Sequence, residues 1–305
     1  MRWKRGRRSQ NIEDRRGMRP GARGRGARRG GGMKIGGTGA ILLLLASLFF
    51  GQDLLTAFTG GGSAGGLGGT LSGGSGAGQA APPLSQNSGV RNNDEAGQFI
   101  SSILADTEDV WNKLFQQAGK RYQAPKVVLF EEGVNSACGF TSSAAGPFYC
   151  PGDSKVYIDL SFFRTLQEQM KAGGDFAQAY VLAHEVGHHI QNQLGVSMAV
   201  QNKMRQVPKK QANELSVRAE LQADCYAGVW AHHAHKDRQL LEPGDLEEGM
   251  NAAARIGDDA LMRNAGRRVH PDGFTHGSSQ QRQTWLYKGL ESGDSQACDT
   301  FNSQI

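Results

Sequence analysis

The chain has 305 residues and a formal net charge of +5, so it is long enough for one large domain or two small ones. Its charge is unevenly placed, because residues 1–34 contain thirteen Lys and Arg but only Glu13 and Asp14, a net of +11. Subtracting +11 from the +5 of the whole chain leaves −6 for residues 35–305. This excludes the basic globular surface that is typical of a nucleic-acid-binding domain.

The first 58 residues have the composition of a membrane anchor. Residues 1–34 are basic, and we expect a disordered cytoplasmic arm. Residues 35–58 contain an apolar run from Ile41 to Phe50, and we expect a single transmembrane helix there. A cleavable signal peptide is the alternative, but no clear small-residue cleavage site follows the run. The positive-inside rule then places the remaining chain on the periplasmic or extracellular side.

The basic arm also permits a second hypothesis, an RNA-binding tail, because Arg and Gly alternate in RGRGARRG. Trp3 is the only aromatic residue of the arm, which weakens a role in stacking on bases. We therefore favour a solvated segment that is attracted to anionic lipid and directs membrane insertion. No specific nucleic-acid partner is expected.

The rest of the chain divides into a linker and one domain. Residues 59–92 are rich in Gly and Ser and cannot form a core, so we expect a flexible tether. Residues 93–305 are long enough for one globular domain, which we expect to be α+β, mainly helical with a small sheet. The predicted elements are a helix from the cap at residue 93 or 94 to Gly119, strands at 126–130, 148–150 and 156–159, and helices at 162–171, 175–194, 209–235, 243–263 and 278–290.

Four cysteines, Cys138, Cys150, Cys225 and Cys298, follow the predicted anchor. An even number of cysteines outside the cytoplasm indicates disulfides, and four of them allow three connectivities. We favour Cys138 with Cys150, because this close pair would staple a loop, which leaves Cys225 with Cys298. Zinc ligation by cysteine is the alternative, but the sequence contains no CxxC pair.

One motif carries chemistry: His184, Glu185 and His188 form an HExxH sequence within the predicted helix 175–194. At 100° per residue the two histidines lie on one helix face one turn apart, so both imidazoles can bind one ion. Glu185 lies beside that face and can reach a water molecule activated by the ion, as a general base must. The alternative is a helix with two surface histidines, and a third ligand would argue against it.

The third ligand must come from beyond this helix, because the sequence lacks the Gly and His of the longer HExxHxxGxxH motif. The predicted helix 209–235 offers Glu220 and Asp224, which lie one turn apart on one face. Glu220 can bind the metal while Asp224 accepts the second ring N–H of a zinc histidine. Glu214 is the rival ligand, but Arg218 follows it by one turn and cannot act as an acceptor.

Three stretches together resemble a known family: HEVGHHIQ at 184–191, ELQADCYAGVW at 220–230 and HPDGFTHGSSQQR at 270–282. They are similar to the neutral zinc metallopeptidase family of bacterial membrane-anchored proteins. The resemblance covers nearly the whole chain, although the long Arg and Gly arm is less typical. It implies a zincin-like fold of the gluzincin type and Zn²⁺ as the cofactor, with HExxH on one helix and a glutamate, here Glu220, from the next.

We therefore expect a membrane-anchored zinc endopeptidase whose partners are the membrane and a protein or peptide substrate. Glu185 takes a proton from water and later protonates the leaving amine. For the developing oxyanion we favour His276 over His270, Tyr226 and Tyr287. The second hypothesis is a zinc-containing binding or assembly protein without turnover. Glu185 argues against it, because a purely structural site has no use for an acid beside its histidines.

Two further expectations concern the surroundings of the site. The remaining histidines are expected at the surface, and they are His189, His232, His233 and His235. An edge strand beside the catalytic helix is expected to bind substrate backbone by strand addition, with residues 148–150 or 155–159 as the candidates.

Overall fold

A computed structural model describes residues 1–17, 87–88, 90, 94–142 and 145–305. This part of the chain is α+β and mainly helical, with a small sheet, as predicted. Its α-helices are α1 (Glu95–Gln117), α2 (Ser161–Glu168), α3 (Asp175–Gln193), α4 (Val196–Met204), α5 (Lys209–Arg238), α6 (Asp245–Arg255), α7 (Asp258–Asn264) and α8 (Ser279–Ser292). Its strands are β1 (Ile12–Asp14), β2 (Asn87–Ser88), β3 (Lys126–Phe130), β4 (Gly133–Ser136), β5 (Gly139–Ser142), β6 (Phe148–Cys150) and β7 (Lys155–Asp159).

The predicted membrane anchor at 35–58 lies outside the described residues, as do residues 18–34 of the predicted arm and most of the predicted linker at 59–92. In the portion that is described, none of the helices combines the length and the apolar character needed to cross a bilayer.

Five strands form a mixed sheet in the order β2-β1-β3-β7-β6. β1 and β7 run parallel to β3, whereas β2 and β6 are antiparallel strands at the two edges. The β-branched residues Val127, Val128 and Val156 are completely buried, which is typical of strands covered on both faces. β4 and β5 form a separate hairpin. The edge strand β6 lies against α3, the helix that carries the HExxH sequence.

The first 17 residues correct the expectation of a disordered basic arm. β1 lies inside the sheet, and the backbone N–H of Val127 donates to the carbonyl of Asn11 at 2.8 Å. Trp3 is buried and packs edge-to-face against Phe99 of α1. The sequence interpretation was wrong for this segment because a count of positive charges does not show their partners. Arg7, for example, is paired with two carboxylates of α1.

Long buried helices position the rest of the domain. In α3 the side chains of Phe176, Tyr180 and Leu182 are at most 1% exposed, so the helix that carries HExxH runs through the core. Both predicted disulfides are formed, and Cys225 with Cys298 ties the C-terminal residues to α5. The predicted helices at 175–194, 209–235 and 278–290 match α3, α5 and α8 within a few residues.

Three local features differ from the prediction. The connection after α3 contains the additional helix α4, and the β4–β5 hairpin was not predicted. The helix predicted at 243–263 is broken into α6 and α7 at Gly257. A Cβ on Gly257 would lie 2.4 Å from the backbone nitrogen of Ser279, so the break lets α8 begin in close contact with this turn.

Candidate metal centre

Three side chains converge where α3 crosses α5. The Nε2 atoms of His184 and His188 lie 3.2 Å apart, and both face the carboxylate of Glu220. The His184 Nε2 is 3.2 Å from Oε2 of Glu220, and the His188 Nε2 is 3.4 Å from Oε1. Glu220 is 2% exposed, so its charge lies in the interior beside two imidazoles. The structure therefore brings together the three residues that the sequence suggests as metal ligands.

The spacing of these atoms fits a zinc ion. Zinc bonds nitrogen and oxygen ligands at about 2.0–2.1 Å, so two ligands in a tetrahedral set lie about 3.3 Å apart. The three separations in the cluster are 3.2, 3.2 and 3.4 Å. Two imidazoles and one carboxylate are also a donor set that catalytic zinc uses. Among the described residues the cluster has three members, so a fourth position is left for water or substrate.

A glycine inside the motif allows the two helices to meet. A Cβ on Gly187 would lie 2.9 Å from the carbonyl oxygen of Ala223 and 3.0 Å from its Cα. Only the absence of a side chain permits this approach of α3 to α5. The close contact places Glu220, one turn before Ala223, opposite both histidines.

Asp224 fixes the orientation of His184. Its Oδ1 lies 2.7 Å from Nδ1 of His184 and accepts the hydroxyl of Tyr180 at 2.6 Å. Arg282 of α8 donates to both oxygens, at 2.9 and 2.8 Å. Burial alone would raise the pKa of Asp224, but the charges of Arg282 and His184 lower it below its ordinary value. A charged Asp224 keeps the proton of His184 on Nδ1 and leaves Nε2 for the metal.

Gln191 has the corresponding role for His188. Its Oε1 lies 2.9 Å from Nδ1 of His188, and its amide nitrogen donates to the carbonyl of Ala219 at 2.7 Å and to Gln222 at 3.1 Å. The amide orientation is thereby fixed from α5, so the acceptor oxygen faces the imidazole. A role for Gln191 or Arg282 could not be predicted from the sequence, because only the fold brings these side chains to the two histidines.

Glu185 lies beside the ligand cluster and lines the same cleft. The side chain is 8% exposed. Burial raises the pKa of Glu185, and the nearby carboxylate of Glu220 adds to this effect, whereas His184 and His188 oppose it. A carboxyl group with a raised pKa beside a metal site can both accept and return a proton near neutral pH.

His276 also lines this cleft, and it is held by a carboxylate that the sequence analysis missed. Asp258 accepts the backbone N–H groups of Thr275, His276 and Gly277, at 2.6, 2.7 and 3.2 Å. Its other oxygen lies 3.1 Å from Nδ1 of His276. Burial alone would lower the pKa of His276, but Asp258 and Glu220 raise it above its ordinary value. The break at Gly257 places Asp258 at the start of α7, where it reaches this loop.

The other oxyanion candidates and the rival ligand lie elsewhere. His270 and Glu214 are exposed, and Glu214 is paired with Arg218. Tyr287 is 46% exposed, and Tyr226 packs its ring against Trp111 in the core. Neither these tyrosines nor His270 lines the cleft that contains His184 and Glu185.

The expectation that the remaining histidines are at the surface is wrong for His189. This side chain is 3% exposed, with Nε2 at 2.6 Å from the carbonyl of Gln123 and Nδ1 at 3.1 Å from the hydroxyl of Tyr149. Burial lowers the pKa of His189, so the ring is neutral and links α3 to the edge strand β6. His232 and His233 are partly buried. They contact the carbonyls of Leu290 in α8 and of Gly293 just after it, whereas His235 is exposed.

The cleft has a volume of about 370 Å³ and mainly apolar walls. Residues of β6 and of the segment before it line the cleft, and so do residues of α4. Val196, Val200 and Met204 of α4 line it at a spacing of four residues, which is one face of the helix. β6 is an edge strand, as expected for a substrate-binding strand, whereas β7 lies inside the sheet.

Comparison with known proteins gives one family. The family model described as "Putative neutral zinc metallopeptidase" matches residues 1–301. A protein of Escherichia coli K12 named "Uncharacterized protein YpfJ" is 44% identical over 313 aligned residues and covers 100% of both chains. A protein of Mycobacterium bovis named "Uncharacterized protein Mb2605" is 40% identical over 223 residues, covering 70% of this chain and 74% of its own. No solved structure matches the chain.

Proposed function

Because the chain belongs to the neutral zinc metallopeptidase family, we propose that it is a zinc-dependent endopeptidase with Glu185 as its general base. The observation that carries the proposal is the convergence of His184, His188 and Glu220 at zinc-ligand spacing with Glu185 beside them. A structural zinc site usually has four protein ligands, whereas a catalytic site has three and an open position. This distinction favours turnover over the alternative of a non-catalytic binding or assembly protein.

The proposed mechanism uses each side chain for one task. Bound zinc would polarise the substrate carbonyl and lower the pKa of a water molecule at the open position. Glu185 takes the proton as the water attacks, and it then passes this proton to the leaving amine. His276 donates an N–H to the oxyanion that develops on the carbonyl, while Asp258 holds its ring. Asp224 and Gln191 keep the two histidine ligands oriented.

The cleft supports an extended substrate with a large apolar side chain. β6 can add a substrate strand along its outer edge, where main-chain hydrogen bonds provide affinity. The apolar side chains of Val181, Val200 and Leu261 line the cleft beside the ligands. Burying an apolar side chain there would contribute about 25 cal/mol for each Å² removed from water. Such a site fits a cut within a chain, because both ends of the strand can extend beyond the cleft.

We also propose a zincin-like fold of the gluzincin type and an extracytoplasmic location. The arrangement of HExxH on α3, the glutamate ligand on α5 and an edge strand beside α3 supports the first. The disulfides Cys138–Cys150 and Cys225–Cys298 support the second, because disulfides persist mainly in oxidising compartments. Association with the membrane through residues 35–58 stays a prediction from the apolar run.

The decisive experiment uses the full chain with three substitutions. We expect one zinc per chain in the wild type and in Glu185→Gln, and loss of zinc in Glu220→Ala. Hydrolysis of an unfolded protein such as casein should fall by about 10³-fold in Glu185→Gln, because the proton acceptor is removed while the ligands remain.

Glu214→Gln is the matched control, because Glu214 is an exposed acid on the same helix as Glu220. It should change neither zinc content nor hydrolysis. A wild type that binds no zinc would contradict the metal site. A Glu185→Gln variant that hydrolyses the substrate at the wild-type rate would instead reject Glu185 as the general base.

A further inference from the structure

We infer that residues 1–17 are an integral part of the zinc domain and lie in the same compartment as residues 94–305. The two parts therefore lie on the same side of any membrane. This replaces the expectation that residues 1–17 belong to a cytoplasmic arm on the opposite side of a membrane from the zinc domain. The inference rests on the packing of described residues and not on catalysis.

The first observation is the position of β1 in the sheet. β1 lies between β2 and β3, and Ile12, Glu13 and Asp14 pair in parallel with Val127, Val128 and Leu129. Backbone hydrogen bonds to β3 continue just before and just after β1. The N–H of Val127 donates to the carbonyl of Asn11 at 2.8 Å, and the N–H of Arg15 donates to the carbonyl of Leu129 at 2.8 Å. Ile12 is 1% exposed. A strand inside a sheet cannot leave without exposing an unpaired edge of β3 and its apolar neighbours.

The second observation is a set of buried polar contacts between the segment and α1. Glu108 of α1 is 7% exposed, and its Oε1 accepts the Ser9 hydroxyl at 2.6 Å and the Asn11 amide at 2.8 Å. In the other direction, Ser101 and Ser102 of α1 donate to backbone carbonyls of the segment, at 3.0 and 2.7 Å. Buried polar groups need partners, so these contacts specify one docking position for the segment.

The third observation is that oppositely charged partners on the domain pair with charged side chains of the segment. Arg7 is paired with Glu108 at 2.7 Å and with Asp109 at 2.8 Å. Lys155 of β7 is paired with Glu13 at 2.8 Å. These charged side chains of the segment are therefore bound to groups of the domain. The family match also begins at residue 1, so the segment belongs to the same sequence unit as the metal site.

These contacts and a single membrane crossing exclude each other. One helix at residues 35–58 would place residues 1–17 and 94–305 on opposite faces of a bilayer whose apolar core is about 30 Å thick. Backbone bonds of 2.8 Å between β1 and β3 cannot form across that distance.

The test compares two exposed positions by thiol labelling of the full chain in bacterial spheroplasts. Lys4→Cys reports on the segment, because the Lys4 side chain is 72% exposed. Met198→Cys reports on the domain, because Met198 is 68% exposed on α4. The four native cysteines are in disulfides and do not react with maleimide. A membrane-impermeant maleimide is applied before and after permeabilisation.

We expect both cysteines to be labelled to the same extent in each condition, within about twofold. Labelling of one position in intact spheroplasts and of the other only after permeabilisation would overturn the inference. If both react only after permeabilisation, the shared compartment is supported and the extracytoplasmic location is rejected, so the two proposals are tested separately.

A second measurement tests the docking itself. Ile12→Asp places a charge at the buried first residue of β1, whereas Lys4→Gln changes an exposed side chain of the same segment. Thermal unfolding of the full chain should shift down by more than about 5 °C in Ile12→Asp and stay unchanged in Lys4→Gln. Equal unfolding temperatures for wild type and Ile12→Asp would show that β1 is not part of the folded domain.

Discussion

At the scale of single residues, the candidate site depends on carboxylates that orient imidazoles. Asp224 holds His184, and Asp258 holds His276, through contacts of 2.7 and 3.1 Å to Nδ1. The role of Asp224 could be predicted, because it follows Glu220 by four residues. Residues with this spacing lie on the same face of a helix, which can be recognised from neighbouring positions in the sequence. Asp258 was not predictable, because it is 18 residues from His276 and reaches it only through the break between α6 and α7.

The pairing of Asp258 with His276 predicts a pH effect. Asp258 raises the pKa of His276, so its replacement by Asn should lower that pKa. If protonated His276 stabilises the oxyanion, activity is lost as pH rises through this pKa. The alkaline limb of the kcat/KM profile should therefore move to lower pH in Asp258→Asn.

The neighbouring Asp259→Asn is the control, because Asp259 contacts Ser279 and Arg263 and not His276. An unchanged alkaline limb in Asp258→Asn would exclude His276 as the group that titrates in this limb.

At the scale of secondary-structure elements, the candidate site lies where α3 crosses α5, and α4 lines the cleft beside it. α3 and α5 could be predicted because their patterns are long and the motif lies within them. α4 and the β4–β5 hairpin were missed because both are short, so neither has a long periodic pattern of apolar residues. The charge-rich β1 was missed for a related reason: only its tertiary partners show that it is a strand.

The close approach at Gly187 predicts that a methyl group would separate the helices. Gly187→Ala should destabilise the fold by about 1–3 kcal/mol, because the new Cβ would contact the backbone of Ala223. It should also weaken zinc binding by at least about tenfold, since Glu220 moves away from the histidines. Chemical denaturation and competition with a zinc chelator measure the two effects.

Gly273→Ala is the matched control for Gly187→Ala, because a Cβ there has only Met262 within reach, at 4.0 Å. Wild-type zinc affinity in Gly187→Ala would show that the helix contact does not position the ligand.

The apolar residues of α4 that line the cleft predict a preference for substrates with a large apolar side chain at the cut. Val200 is 7% exposed and lines the cleft, so Val200→Gln should reduce kcat/KM by about tenfold for peptides with a large apolar side chain at the cut. Peptides with small side chains should be affected less. Met198→Gln on the outer face of α4 should leave both rates unchanged. A uniform loss across all peptides in Val200→Gln would indicate a general structural effect and contradict a specificity role.

At the scale of the whole molecule, the net charge of a stretch of sequence did not show which residues belong to the folded domain. The contacts between residues show this instead. The net charge of residues 1–34 suggested an arm separate from the domain. Residues 1–17 instead contribute a strand, and Lys4 and Arg7 pair with acids of α1. Composition could indicate the sign of the charge but not its partners, because pairing depends on which segments the fold brings together.

Acid should loosen this docking. Burial alone would raise the pKa of Glu13, but Lys155 and Arg15 lower it below its ordinary value. A carboxylate with a lowered folded pKa contributes stability that is complete above its unfolded pKa and is lost as pH falls through the folded value. Hydrogen exchange, corrected for intrinsic rates, should therefore show reduced protection of β1 amides as pH falls below the ordinary pKa of Glu, about 4.3.

Glu13→Gln should have lower protection at neutral pH and a smaller loss in acid. Identical pH dependence in the variant and the wild type would assign the effect to another carboxylate.

The position of β1 inside the sheet has a consequence for biosynthesis. Ile12 pairs with Val127, so the strand that is translated first waits for a partner more than a hundred residues later. Contacts this distant along the chain raise contact order and slow folding. The nascent N-terminus must stay unpaired until β3 has left the ribosome and, if the domain is exported, has reached the far side of the membrane. During that interval the unpaired β1 segment is exposed, and we expect it to be bound by chaperones that hold unfolded chains.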